Sequence, residues 1–483
     1  MTSGMELKHL IDGMWHEGEA DTFGCLNPAS GDFEASQRAA SIDQTRDAVG
    51  AARHAFETTK WRQQARVRSE ALMACAFSLN DHRIEVESLL VQFNGKLRVE
   101  AANEVGAAIN AFQYYAGLSR NLWGRVAEID ADCWSMLPRE PLGVAAVIVP
   151  WNAPVSLLVR SLAPALAAGC TAVVKHAAQT SPATSLVLSL IAQSGLPRGV
   201  LNSIVETGAE CSQYLCESAD VDVISFTGSS KVGKDIALAA ARSCTRLSLE
   251  LGGKGPAVVF ADADLDVAIR TIVRHATVMA GQMCTAITRV LVERAAYQAV
   301  ANRLVAQLRE VRVGAGDDPS STMGPVIDHR NRDRILSIAQ RATNENEVLL
   351  NCTRPEGELG RGAFITPGVV AVDDPNSRLV QEEIFGPLLT VEPFDDEAQG
   401  IALANATRYG LSASVWSSDL MRAKRVAAKV RAGTVWINNH NRHAAETETG
   451  GYRESGRGRL YGVEGLNDFL QTKHVYFETP DHA

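Results

Sequence analysis

A chain of 483 residues with 46% hydrophobic and 21% charged side chains is too long for one simple core, so two or three domains are expected. A net charge of −9, spread along the chain, argues against nucleic acid or an anionic membrane as partner, since both call for a basic face. No apolar run is long enough to span a membrane, and the start lacks a secretory apolar stretch with a cleavage site, so a cytoplasmic protein is expected.

The first 140 residues carry helical patterns, notably "TRDAVGAARHAFETTKW" and the region around "AANEVGAAINAFQYYAG". From Gly143 the pattern changes. "GVAAVIVP" is a continuous β-branched run bounded by turn residues, which reads as a buried strand. "VSLLVRSLAPALAAG" has helical length and ends at Gly169. "TAVVKH" is the next strand and "SPATSLVLSLIAQSG" the next helix, with Ser181 as its cap and Pro182 at its first position. "VLNSIVE", "VDVISFTG" and "RLSLELGG" are further strands, separated by the helices "GAECSQYLCES" and "SKVGKDIALAAARS". Strands and helices alternating at this spacing mean βαβ units and a parallel sheet, whose ligand sits outside the carboxyl ends of the strands. After Gly253 a second α/β section follows, with strands at "TRVLVE", "LLTVEPF", "SASVWS" and "GTVWIN" and helices at "YQAVANRLVAQLREV" and "LMRAKRVAAKVRAG".

Nine cysteines at irregular spacing, an odd number, argue against a disulfide framework. Cys211 and Cys216 are the closest pair, but no partner Cys/His pair follows at zinc spacing. The loop "NNHNRH" has no carboxylate at matching spacing and reads as solvated or substrate-lining. "ADADLD" lacks the glycine and glutamate of a calcium loop and reads as a helix cap. No metal is expected.

Four segments place useful groups at strand ends. "IVPWNAP" offers the Asn152 amide, which also suits a helix N-cap. "SFTGSSKVG" joins a strand to a helix through a small-residue turn able to hold a phosphate, or simply to turn tightly. "LELGGKGP" puts Glu250 on an apolar strand, where burial raises a carboxyl pKa and makes a candidate base; a salt-bridged structural role competes. "GQMCTAITR" supplies the thiol of Cys284. A lone cysteine more often packs as a small hydrophobe, so its meaning rests on the other three.

With "PWN", "FTGS", "LELGGK", "GQMCTA", "EEIFGP", "YGLSASV" and "GGYRESGRGR" in that order, the chain resembles the NAD(P)-dependent aldehyde dehydrogenase superfamily over nearly its whole length. The resemblance implies a Rossmann-type parallel-sheet cofactor domain (1–122 and 142–251), an α/β catalytic domain (252–453) and a small β-stranded oligomerisation arm (123–141 and 469–483). It implies Cys284 as nucleophile, Asn152 as oxyanion donor and Glu250 as general base. It places Trp151, Lys175, Gly228, Ser229, Glu383 and Phe385 around the cofactor. Ala178 stands where the family commonly has a glutamate that clasps the adenosine ribose, so NAD is expected first with NADP tolerated. The aldehyde tunnel would be lined by Ala107, Ala153, Arg160, Met283, Thr285 and Thr449.

Small residues there imply a roomy tunnel, and missing aromatics argue against a box for a quaternary ammonium aldehyde. Arg160 suits a semialdehyde carboxylate or an ion pair within the core. The expected reaction is oxidation of a medium-sized or polar aldehyde to an acid, with water as acceptor because Glu250 is present. The rivals are a coenzyme A-acylating relative and a catalytically silent binding protein. A homodimer or homotetramer is expected.

Overall fold

The computed structural model describes residues 7–479; residues 1–6 and 480–483, which belong to the expected first domain and arm, lie outside them. Two large sheets organise the chain. The first has eight strands in the order Met14–His16, His9–Ile11, Leu201–Glu206, Thr171–Ala177, Val144–Ile148, Val223–Thr227, Arg246–Glu250 and Gly456–Arg457. Its five central strands are parallel. Numbered by chain order they run 3-2-1-4-5, so the order reverses beside Val144–Ile148, where a doubly wound sheet opens its ligand crevice. All five residues of Val144–Ile148 are buried, as expected of a strand covered by helices on both faces.

The helix Pro154–Ala168 follows that strand. Pro154 suits its first turn, where a missing N–H costs nothing, and Gly169 ends it with a left-handed φ of 101°. The Ser181–Ala192 helix departs from expectation. Thr180 occupies the cap, without a side-chain cap bond, and Ser181 is the first helical residue. The turn Ala178–Thr180 continues directly into the helix, and the Ser181 hydroxyl is used instead on buried Gln37.

The second sheet has seven strands, Glu347–Leu350, Gly368–Ala371, Leu388–Phe394, Ile287–Glu293, Gly255–Val259, Ser412–Trp416 and Thr434–Ile437, antiparallel only at the Glu347–Leu350 edge. Asp264 caps Leu265–Thr277 by accepting from the N–H groups of Asp266 and Val267, the role read for "ADADLD". A three-stranded antiparallel sheet, Val475–Glu478, Cys133–Leu137 and Arg125–Asp130, stands apart. Val126, Ile129, Tyr476 and Phe477 lie exposed on it. Phe469 and Leu470, in contrast, pack into the core beneath the first sheet.

All nine cysteines are free. Among the described residues no group of three or more His, Cys, Asp or Glu side chains is placed to hold a metal ion, and no helix is long and apolar enough to cross a membrane.

Burial holds three imidazoles far below their usual range, His176 and His440 to about 3 and His275 to about 4. A base whose folded pKa is depressed takes up more protons unfolded than folded. Its contribution is complete above the unfolded value near 6.5 and is lost as pH falls toward 3 to 4. The melting temperature should therefore drop steadily below pH 6.5, and calorimetry on His176→Gln should show a shallower slope.

Candidate active site

Cys284 sits on a loop pinned from both sides. After the Leu265–Thr277 helix, Met279, Ala280 and Gly281 all adopt left-handed φ values of 50°, 52° and 73°. The reversal is held by the Met279 N–H donating to Glu100 Oε1 at 2.7 Å and by Gln282 Nε2 donating to the Met279 carbonyl at 3.0 Å. Gln282 Oε1 accepts from the Ile327 N–H at 2.9 Å. On the other side, Thr285 Oγ1 donates to Asn441 Oδ1 at 2.9 Å, and His440 Nε2 lies 2.7 Å from the Thr285 carbonyl. That carbonyl can only accept, so His440 carries its proton on Nε2.

Asn152 reaches this loop rather than capping a helix. Its Nδ2 donates to the Gln282 carbonyl at 3.0 Å, and Ala153 is the cap residue of Pro154–Ala168. A primary amide has two N–H groups, so one remains for a second acceptor. Glu250 ends its strand, and the glycines after it allow close approach. A Cβ on Gly253 would come within 2.5 Å of the Cys284 carbonyl oxygen, and one on Gly252 would run into Glu383 Oε2.

These groups open into one cavity of about 810 Å³, which Ala107, Ala153, Arg160, Met283, Thr285 and Thr449 also line. It lies where carboxyl ends of the first sheet face the amino ends of the strands Ile287–Glu293 and Thr434–Ile437. Burial pushes the Cys284 thiol up to about 11; the Arg160 charge opposes this, while Glu250 and Glu383 add to it. Burial also raises the Glu250 carboxyl, against the pull of Arg160 and Arg459, and Glu250 Oε1 has no hydrogen-bond partner among the described residues. The Arg160 guanidinium is itself buried. Its one protein hydrogen bond runs to Thr227 Oγ1 at 3.3 Å, its Nε is unpartnered, and among the described residues no carboxylate lies within 4.0 Å of it.

The expected cofactor residues border the first sheet's carboxyl ends. Trp151 follows Val144–Ile148 and packs edge-to-face on Phe385, centroids 5.5 Å apart. Phe385 holds a left-handed φ of 54°, a strained setting for a bulky residue. Glu383 Oε1 accepts from the Gly253 N–H at 3.0 Å, and burial pushes its pKa up to about 7. Ser229 caps the helix Ser230–Ala240, Gly228 donates to the Glu250 carbonyl at 3.0 Å, and Lys175 lies near the end of Thr171–Ala177.

Several working residues escaped the sequence reading. Glu104 is paired with buried Lys96, and its Oε1 accepts from the N–H groups of Val155 (2.8 Å) and Ser156 (3.2 Å), fixing the helix that follows Asn152. Glu100 and Glu104 are spaced one helical turn apart among small residues. A buried acidic stripe was therefore legible as a pattern, though its partners were not. Tyr461, at φ 62°, lines the cavity, and the Arg160 guanidinium lies 6.0 Å from its ring centre.

A profile of the aldehyde dehydrogenase family matches residues 15–475. The chain belongs to this family. Betaine aldehyde dehydrogenase of Bacillus subtilis is 37% identical over 98% of this chain and 98% of its own. Aminoacetaldehyde dehydrogenase of Pseudomonas aeruginosa is 36% identical over 99% and 97%. A solved betaine aldehyde dehydrogenase of Staphylococcus aureus in complex with NAD+ superposes with a TM-score of 0.96 at 35% identity, covering 99% of this chain and 96% of that one. The protein is thus an oxidoreductase acting on aldehydes.

Within an aldehyde dehydrogenase, the charge of Arg160 should matter to the thiol. Removing it in Arg160→Gln should make the thiol harder to ionise, so the pH profile of iodoacetamide alkylation should move upward. At pH 8 the alkylation rate should fall roughly tenfold for each pH unit by which the profile moves. An unmoved profile would show that Arg160 does not act on Cys284.

Proposed function

We propose that the protein oxidises aldehydes bearing a carboxylate or similar anionic group, with Cys284 as nucleophile, Asn152 as oxyanion donor and Glu250 as base. The observation that carries the substrate class is Arg160, a buried cation lining the cavity with no carboxylate partner among the described residues. A buried guanidinium of this kind costs several kcal/mol unless paired, and a substrate carboxylate would supply the missing partner.

The resting Cys284 is a thiol, because burial pushes it up to about 11. Glu250, whose Oε1 has no partner among the described residues, is the carboxylate in the same cavity able to accept that proton. Attack on the aldehyde carbon forms the C–S bond and leaves an alkoxide. The free N–H of Asn152 and the backbone N–H of Cys284 would hold it, each such donor supporting roughly 3 to 4 kcal/mol of the barrier. Collapse to the thioester releases a hydride. Glu250 gives the thiol's proton up to solvent and then takes a proton from water as the water attacks the thioester carbon; the C–S bond breaks, the sulfur leaves as thiolate and the acid departs.

The hydride acceptor is NAD or NADP, held by Trp151, Lys175, Gly228, Ser229, Glu383 and Phe385. The fit is supported by the side-chain-free backbone at Gly252, which leaves room for the Glu383 carboxylate, and by the positive end of the Ser230–Ala240 helix. The substrate of the betaine aldehyde relatives does not carry over. Apart from three histidines, Tyr461 is the one aromatic residue lining the cavity among the described residues. The neighbourhood of its ring, where an ammonium would rest, already holds the protein's own Arg160. Assembly into a homodimer or homotetramer is supported by the exposed apolar side chains of the three-stranded arm, which a second copy would cover.

Cys284→Ala should abolish NAD(P)H formation while leaving cofactor affinity within about twofold, read by turnover and fluorescence titration. Glu250→Gln should slow both formation and hydrolysis of the acyl-enzyme, so that the adduct builds up slowly and then persists, visible by intact-protein mass, with or without coenzyme A. In a panel matched for length, ω-carboxylate aldehydes should be preferred over quaternary ammonium aldehydes. Arg160→Leu should raise KM for the carboxylate series by about 10- to 150-fold, the worth of one charged hydrogen-bonded pair. Equal KM across the panel in both proteins would exclude the anionic class.

A further inference from the structure

The second strand of a dinucleotide-binding sheet ordinarily places a carboxylate near its carboxyl end, where it bonds the ribose 2′-hydroxyl and repels a 2′-phosphate. Here that strand ends Lys175-His176-Ala177 and is followed by Ala178, with no acid. The neighbouring parallel strand supplies one. Leu201–Glu206 pairs with Thr171–Ala177 so that Glu206 lies opposite Ala177, and the Glu206 carboxylate reaches within 4.0 Å of Lys175 Nζ.

Glu206 is held in place through both of its carboxyl oxygens. Its Oε2 accepts from the Cys211 N–H at 2.9 Å, and its Oε1 from the Ser212 N–H at 2.9 Å and hydroxyl at 2.5 Å. These are the first N–H groups of the helix Glu210–Glu217, whose positive end favours an anion. Lys175 has no carboxylate other than Glu206 within 4.0 Å among the described residues. The two side chains thus form a locally neutral pair, in which Glu206 offsets the cation that would otherwise attract phosphate.

We propose that Glu206, from the third strand, sets the choice between NAD and NADP, taking over the discrimination that a carboxylate at position 178 would exert. The proposal rests on the cofactor groove described above. Glu206 opposes a 2′-phosphate directly and by neutralising Lys175, while two ribose hydroxyls meet no such opposition. Glu206 is a specificity residue and takes no part in the chemistry at Cys284.

The test is fluorescence titration with NADH and NADPH in the absence of aldehyde, so that binding is read apart from turnover. The wild-type protein should bind NADH at least tenfold more tightly than NADPH. Glu206→Gln keeps one oxygen for the Ser212 N–H but turns an NH2 toward the Cys211 N–H, so it should stay folded with a somewhat lower melting temperature, checked by calorimetry beside the binding. It should tighten NADPH at least tenfold, and adding Lys175→Met should remove that gain. Ala178→Glu in the Glu206→Gln background should restore the NADH preference. An unchanged NADH/NADPH ratio in Glu206→Gln, or a wild-type protein that prefers NADPH, would overturn the proposal. Failure of both nucleotides to bind the wild-type protein would overturn the groove on which it rests.

Discussion

The site depends on one electrostatic constraint, a guanidinium buried beside a buried thiol and a buried carboxyl. Arg160 comes from the helix Pro154–Ala168, the same element whose start is fixed by Glu104 and whose preceding residue group contains Asn152. Low-dielectric surroundings make each charge act strongly on its neighbours. Burial alone would drive both Cys284 and Glu250 to their protonated forms, and Arg160 is the largest opposing influence on each. The arginine therefore has two effects from one position. It eases ionisation of Cys284 and Glu250, and under the proposed function it would meet an anionic end of the substrate.

Such an arrangement needs a rigid frame, because a buried charge free to move would find water or a partner. The frame is built from backbone hydrogen bonds to side chains that reach across elements. Gln282 ties the reversal at Met279 to Ile327, Asn152 ties the first sheet to Gln282, and His440 with Asn441 clamps Thr285. Left-handed residues other than glycine gather here, at Met279, Ala280, Phe385, Asn441 and Tyr461. Each costs on the order of 1–3 kcal/mol and persists only where surrounding contacts over-determine it. Half of the left-handed non-glycine residues among the described residues are these five; the others are Asp12, Asp132, Cys244, Asn438 and Arg453.

Much of this is legible in the sequence. Continuous β-branched runs such as "VAAVI" announce buried strands, and alternation with helices makes a parallel sheet the expectation. Glu250 stands out as an acid on an apolar strand, and its burial has the physical consequence anticipated for it. The cap of the Ser181 helix is not legible, because a turn running straight into a helix removes the cap from the residue that would favour it. Asn152 allows two readings, and the cap reading fails because Ala153 holds the cap position, while the Asn152 amide reaches the loop that carries Cys284. Lys96, Glu104, His440 and Tyr461 are hidden for a shared reason. Their roles arise from pairings between separate elements or from an unusual backbone angle, neither of which local pattern encodes.

The likeness to betaine aldehyde dehydrogenases and the character of this cavity pull in different directions, and physics ranks them. Identity of 35–37% over whole chains fixes the fold and the family, because both depend on hundreds of packed positions. Substrate choice depends on a few side chains, and a single charge among them outweighs the remaining similarity. A trimethylammonium group placed beside an unpaired buried guanidinium meets like-charge repulsion in a medium that screens poorly. A carboxylate in the same place gains a charge-assisted pair at no further desolvation cost to the arginine, which folding has already removed from water. For the proposed anionic substrates, the cost of burying Arg160 would be offset on binding, and the cavity would select by charge before it selects by shape.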